Sequence, residues 1–188
     1  TRSPFARKAM VVAHEQGLAA RIECIPVVVA STRTDAGLLQ FNPLSQIPTL
    51  VLEDGRVVHD SLVICEYFDA IGQRPGLFPQ EQARRLDALP RHALGQGMTE
   101  ALLRLFGERK RDADPLQPTY VAAFRAKFLR AADALEQQCT QWAGRSVDIG
   151  DIAIACALAY AHFRFEELDW PVTRPALRAW YDGFAQRP

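Results

Sequence analysis

Residues 42–64 read NPLSQIPTLVLEDGRVVHDSLVI, and the succession of turn, strand, turn, strand and helix start in that stretch decides how the chain is read. Asp54 and Gly55 stand between two apolar runs, 49–52 and 56–58, a pattern that predicts an antiparallel hairpin. Pro43 and Pro48 flank a polar turn at the entrance of the first strand. Lacking an N–H, Pro48 leaves the backbone before it open to pairing with an extended ligand; its own peptide bond is either cis or that of an ordinary trans turn. Beyond the hairpin, Asp60 and Ser61 head Leu62, Ile64, Cys65 and Phe68 at helical spacing, up to Gly72. A carboxylate and a hydroxyl there can hold a ligand's ammonium and carboxylate together, or simply cap the helix.

Working outward, residues 4–16 carry Phe5, Ala9, Val12 and Ala13 as a helical stripe, with Ser3 as N-cap, Pro4 at the first helical position and Gly17 as the stop. The Ser3 hydroxyl can cap that helix or face a cleft where backbone N–H groups and the dipole favour an anion. Residues 22–29 are rich in β-branched side chains, which predicts a strand with an extended exit at Pro26, and a short helix is expected around 35–41. Only a leading strand before Thr1 is needed to complete a β-α-β-α-β-β-α unit, so a first strand is expected upstream. From Pro79 onward strand signals cease, and helices are expected with breaks at Pro90, 114–118, Gly144 and 171–175. The expected organisation is a first domain over 1–72, a Pro- and Gly-bearing linker over 73–79 and an all-helical domain over 80–188.

Composition narrows the function. The 188 residues carry 22 basic and 22 acidic side chains, so there is no broad field to gather phosphate backbone or anionic lipid; no nucleic-acid or membrane partner is expected. The longest apolar run, 152–161, is half of the ~20 residues that cross a bilayer and reads as a buried helix. Cys24, Cys65, Cys139 and Cys156 are scattered, without metal-ligand spacing, and read as reduced thiols of a cytoplasmic protein that binds no metal.

Taken in order, Ser3-Pro4-Phe5 with Arg7 and Lys8, then Asn42-Pro43 with Pro48 and Leu50, then Asp60-Ser61 with Ile64 and Tyr67, resemble the glutathione S-transferase family, in particular its small bacterial members. The helical second region resembles it too, as does Val147-Asp148-Ile149-Gly150-Asp151-Ile152, which has the form of a capping box and hydrophobic staple with a folding role. The resemblance implies a thioredoxin-like N-terminal domain that binds glutathione, followed by an α-helical C-terminal domain that supplies most of the pocket for an electrophilic second substrate. It further implies that Ile47 pairs its backbone with the cysteinyl moiety, that Pro48 is a cis-proline, and that Asp60 and Ser61 hold the γ-glutamyl end. Gln46 stands where relatives often carry Lys, and would reach the glycyl carboxylate by hydrogen bond. Ser3 would activate the thiol, with Thr1 or an upstream residue as alternatives. The absence of Cys at position 3 argues against thiol-disulfide exchange. A homodimer is also implied.

Two functional classes follow: a glutathione transferase acting on small hydrophobic electrophiles, or a non-catalytic module that keeps the transferase fold for binding or regulation. Other conspicuous residues have plainer readings. Arg109-Lys110-Arg111 is flanked by acidic side chains and reads as a solvated helix end, and Trp142, Trp170 and Trp180 as core anchors. Met98, Phe106, Tyr160 and Phe163 have the spacing of either a core or a pocket wall.

Overall fold

A computed structural model describes residues 2–30, 32–74, 76–109 and 118–187. The chain divides into two compact units, Thr1–Arg85 and Leu86–Pro188. The division falls within one long helix.

In the first unit, α1 (Pro4–Glu15) begins as its residues dictate: Ser3 is the N-cap, in extended geometry, and Pro4 opens the first turn. It ends at Gly17, whose φ of +73° is the left-handed conformation that glycine adopts without strain. There the Leu18 N–H donates to the Ala13 carbonyl at 2.7 Å and the Gly17 N–H to that of His14 at 3.0 Å, closing a Schellman-type cap. The short helix α2 (Ala36–Leu39) is capped by Asp35, whose carboxylate accepts the Leu38 N–H at 2.9 Å. The hairpin follows as β1 (Leu50–Val51) and β2 (Val57–Val58), antiparallel, with Leu50 opposite Val58 and Val51 opposite Val57. Helix α3 (Ser61–Ile71) then packs along α1, burying Ile64, Cys65 and Phe68 near Ala9, Val12 and Ala13.

The expected strand over 22–29 does not form among the described residues. A strand exists by pairing, and among the described residues the only ladder is that of β1 and β2, while Ala30 makes one isolated bridge to Arg33. Ile25 and Val28 are exposed in consequence, at 76% and 68%.

The second unit is helical: most of α4 (Gln82–Arg109), then α5 (Pro118–Gln138), α6 (Ile149–Arg164), α7 (Trp170–Thr173) and α8 (Pro175–Ala185). Helix α4 starts after Glu81, whose carboxylate accepts the N–H of Arg84 and of Ala83; these bonds hold it below the ordinary carboxylate range. The break expected at Pro90 is absent. Proline removes one helical N–H, but Ala88 and His92 are buried on either side of it, so the packed face carries the helix across. Further along, a Cβ on Gly95 would lie 2.6 Å from the Ala153 carbonyl carbon, so only glycine lets α4 approach α6 this closely.

Twelve of the sixteen residues of α6 are buried, as its apolar run predicts. Around it lie Met98, Leu102 and Leu105 of α4, Phe128 and Leu135 of α5 and Leu177 of α8, with Trp170 fully buried and Trp142 and Trp180 packed on the same core. Met98 and Tyr160 belong to this core, Phe106 packs against it, and Phe163 is exposed. The expected capping box is present: Asp148 Oδ1 accepts the Gly150 and Asp151 N–H groups at 2.9 and 3.3 Å, and Asp151 Oδ2 accepts the Asp148 N–H at 3.1 Å. What local spacing did not disclose is the pair of guanidiniums that neutralise it. Arg91 bonds both carboxylates, at 2.6 and 2.9 Å, and Arg145 bonds both as well. Both guanidiniums lie 5.4 Å from the centroid of the Trp142 ring.

Burial pushes the Asp151 carboxyl above its ordinary value, against the pull of Arg145. Its own titration therefore favours the folded state below about pH 3.8 and loses that contribution as pH rises through the raised value. Arg91→Met leaves two nearly buried carboxylates with a single guanidinium between them. It is expected to cost about 3 kcal/mol at neutral pH by chemical denaturation, and less as acidification protonates Asp151. A cost independent of pH between about 3 and 7 would contradict this account.

Candidate functional site

Three segments of the first unit carry the expected site residues, and two features of the fold determine how they are placed. The first is a tie at the C-terminal ends of α1 and α3. Gln16, just past α1, donates from Nε2 to Asp69 Oδ1 at 2.6 Å, and the same carboxylate accepts the N–H groups of Leu77 at 2.5 Å and Phe78 at 3.1 Å. The two helices pack along one another and have 12 and 11 residues, so joining their C-terminal ends sets their N-termini at one end of the unit. Ser3 and the Asp60-Ser61 pair thus share that end, where two helix dipoles present positive charge.

The second feature is the register of the hairpin. Leu50 faces Val58, so the residues that lead into β1, Ile47 and Pro48, and those that follow β2, Asp60 and Ser61, lie at the same open end of the hairpin. The polar turn and the start of α3 therefore share the open end of the hairpin.

Each residue has a definite setting. The half-buried Ser3 caps α1 with its Oγ, which accepts the Ala6 N–H at 3.3 Å. Asp60 is exposed and caps α3, Oδ1 accepting the Leu62 N–H at 2.9 Å, while Ser61 is buried at 2% exposure. Ile47 and Pro48 are half-buried, and the peptide bond between them is cis, as the resemblance implies; the bond between His59 and Asp60 is cis too. Among the described residues neither the N–H nor the carbonyl of Ile47 has a hydrogen-bond partner. Gln46 is exposed, with its backbone carbonyl engaged by Asn42 and Thr49. Thr1 lies outside the described residues.

Reasoning from the sequence gave no structural role to three neighbours. Asn42, 1% exposed, bridges the turn with its carboxamide. Ser45 is buried in a left-handed conformation with φ of +48°, and its hydroxyl accepts the Asp35 N–H at 2.9 Å. Lys8, read as a flanking charge, is buried on the inner face of α1, its ammonium 5.9 Å from the Phe5 ring centroid. The first two could have been suspected from an Asn-Pro turn opener followed by a polar residue. Lys8 could have been suspected from its place one residue before Ala9 on the apolar stripe.

Arg109 bonds Glu167 and lies 4.5 Å from the Phe165 ring centroid, while Lys110 and Arg111 lie outside the described residues. All four cysteines are unbridged. Among the described residues no His, Cys, Asp and Glu side chains gather as a metal site, and no helix is long and apolar enough to cross a membrane.

Comparison with known proteins identifies the family. Residues 2–71 match the profile of the glutathione S-transferase N-terminal domain, and residues 118–183 that of the C-terminal domain. The uncharacterized GST-like protein YibF of Escherichia coli K12 is 33% identical over 178 residues, covering 93% of this chain and 86% of that protein. A glutathione transferase family member from Pseudomonas fluorescens Pf-5, crystallised with bound glutathione, is 34% identical and superposes with a TM-score of 0.95, over 100% of this chain and 93% of that one. A structure of a family member from the same organism with bound S-(propanoic acid)-glutathione, 32% identical, gives a TM-score of 0.89 over 99% and 91% of the two chains. The chain belongs to the glutathione S-transferase family. Its fold is that of the family: a thioredoxin-like N-terminal domain, in which the described sheet has two strands, and a helical C-terminal domain.

If the Asp69 tie holds α1 and α3 in line, Asp69→Ala is expected to lower the unfolding free energy by about 2–3 kcal/mol, since three hydrogen bonds to a charged acceptor go at once. A change below about 0.5 kcal/mol in denaturant titrations would contradict that role.

Proposed function

We propose that the protein is a glutathione transferase that joins the glutathione thiolate to small hydrophobic electrophiles. The observation that carries the reading is the convergence, at one end of the first unit, of two helix N-termini and a backbone edge at Ile47 that is unpaired among the described residues. Such an end offers what a zwitterionic tripeptide needs: dipoles and hydroxyls for its anionic groups, a carboxylate for its ammonium, and a peptide edge for its own backbone. Family membership and the glutathione-bound neighbours support the same ligand. The neighbour holding a sulfur-substituted glutathione supports a site that accepts the product of an attack by sulfur.

In this reading Ile47 pairs with the cysteinyl moiety beside Pro48, Asp60 and Ser61 hold the γ-glutamyl end, and Gln46 bonds the glycyl carboxylate. Residues 1–72 bind glutathione, residues 80–188 select the electrophile, and 73–79 link them. The protein works as a cytoplasmic homodimer and needs no metal. Ser3 donates its hydroxyl proton in a hydrogen bond to the thiolate. A thiol of pKa ~8.5 is only about 3% ionised at pH 7; a drop of ~2 units makes it about three quarters ionised, for ~2.7 kcal/mol. One hydrogen bond to a charged acceptor supplies ~1.5–3 kcal/mol, and the N-terminus of α1 another ~0.3–1. The thiol proton leaves to solvent, the thiolate forms a carbon–sulfur bond, and the leaving group departs with its electron pair.

Calorimetry with glutathione is the first test: saturable binding is expected, and no binding at millimolar glutathione would overturn the reading. Ser61→Ala is expected to weaken binding by roughly tenfold. Ser3→Ala is expected to raise the apparent pKa of bound glutathione and lower conjugation ~10–100-fold at neutral pH, the deficit closing as pH rises above the new pKa. An unchanged pH profile would move the role away from Ser3. Binding without turnover on a broad panel of electrophiles would identify a non-catalytic module instead.

A further inference from the structure

The turn before Pro48 is held by a carboxamide that no part of the proposed chemistry uses. Asn42 is 1% exposed, and every hydrogen-bonding group of its side chain is engaged. Oδ1 accepts the Leu44 N–H at 3.0 Å, while Nδ2 donates to the Gln46 carbonyl at 3.1 Å and to Thr49 Oγ1 at 3.0 Å. Thr49 Oγ1 in turn donates to the same Gln46 carbonyl at 2.8 Å. The backbone closes the other side, with the Ser45 N–H donating to the Asn42 carbonyl at 2.8 Å and the Asn42 N–H to that of Leu38 at 2.8 Å.

Two donors therefore converge on one oxygen, and that oxygen shares a peptide plane with the Ile47 N–H. The Gln46–Ile47 bond is trans, so its C=O and N–H point in opposite directions and cannot turn independently. Pinning the Gln46 carbonyl inward aims the Ile47 N–H outward, where it meets no partner among the described residues. A carbonyl oxygen has two lone pairs, and with a donor on each the direction of the Gln46 carbonyl is fixed more closely than one hydrogen bond would fix it.

We infer that Asn42, assisted by Thr49, is a positioning residue for glutathione: it fixes the direction in which Ile47 presents its backbone to the cysteinyl moiety. The inference rests on the assignment of this end of the unit to glutathione, and adds a determinant of affinity that touches no ligand atom. It also separates two functions within one site. Ser3 acts on the sulfur, whereas Asn42 acts on the peptide that carries it.

That separation can be measured by calorimetry on the full chain with two probes, glutathione and S-methylglutathione, the second having no ionisable thiol. Asn42→Asp keeps the acceptor for Leu44 but turns a carboxylate oxygen toward the Gln46 carbonyl. It is expected to weaken both ligands by the same factor, ~10-fold, with the pKa of bound glutathione unchanged. Thr49→Val, a milder change that removes one of the two donors, is expected to weaken both ~3-fold. Ser3→Ala should shift the thiol pKa and leave S-methylglutathione affinity as it was. A purely structural role for Asn42 would lower the melting temperature while the folded variant, judged by near-ultraviolet circular dichroism, bound both probes as tightly as the parent; that result overturns the inference. If Asn42→Asp does not fold, Thr49→Val decides alone, and unchanged affinity there overturns it equally. Failure of the parent protein to bind either probe would instead remove the glutathione assignment on which the inference stands.

Discussion

One carboxylate sets the direction of the first unit. Asp69 gathers the Gln16 side chain and the backbone of Leu77 and Phe78, and so joins the ends of α1 and α3 to the chain that follows them. Helices of nearly equal length, tied at one end, present their N-termini together at the other. The dipole of a single helix terminus is a weak and screened attraction. In the proposed reading, two termini beside the open end of a hairpin offer a small zwitterion a partner for each of its groups, without the net charge that a longer-range attraction would need.

The second unit solves a different problem. Its central helix is buried on every side, and burying the start of a helix exposes its unpaired N–H groups to an apolar interior. Asp148 and Asp151 satisfy those groups, but two carboxylates so little exposed would be costly alone. Arg91, from a distant part of the chain, and Arg145 complete the charge balance, and Trp142 covers both guanidiniums. The capping box of this helix is thus one part of a charge network that also draws on α4.

How far the sequence revealed this depended on how local each cause was. The hairpin, the caps at Ser3, Asp60 and Asp148, and the stop at Gly17 are decided within a few residues, and all are where the spacing put them. Residues 22–29 have strand composition, but pairing is a relation to another segment, and composition does not contain it. At Pro90 a local rule pointed to a break, and packing on both sides of the proline outweighed it. Asn42 was visible as a turn opener; its grip on the Gln46 carbonyl depends on how the chain folds back over seven residues. The order of three motifs indicated the family, while the tie and the register that bring them to one end were legible only in three dimensions.

The central claim is that Ser3, Ile47 and Ser61 serve one ligand. Amide chemical shifts recorded during a titration with glutathione test it most directly, because each backbone N–H reports its own site. The account predicts that the amides of Ile47 and Ser61, and those of the first turn of α1 after Ser3, shift together along one saturation curve while the Asp148-Asp151 capping box stays unperturbed. Shifts confined to other surfaces, or separate curves for these segments, would contradict it.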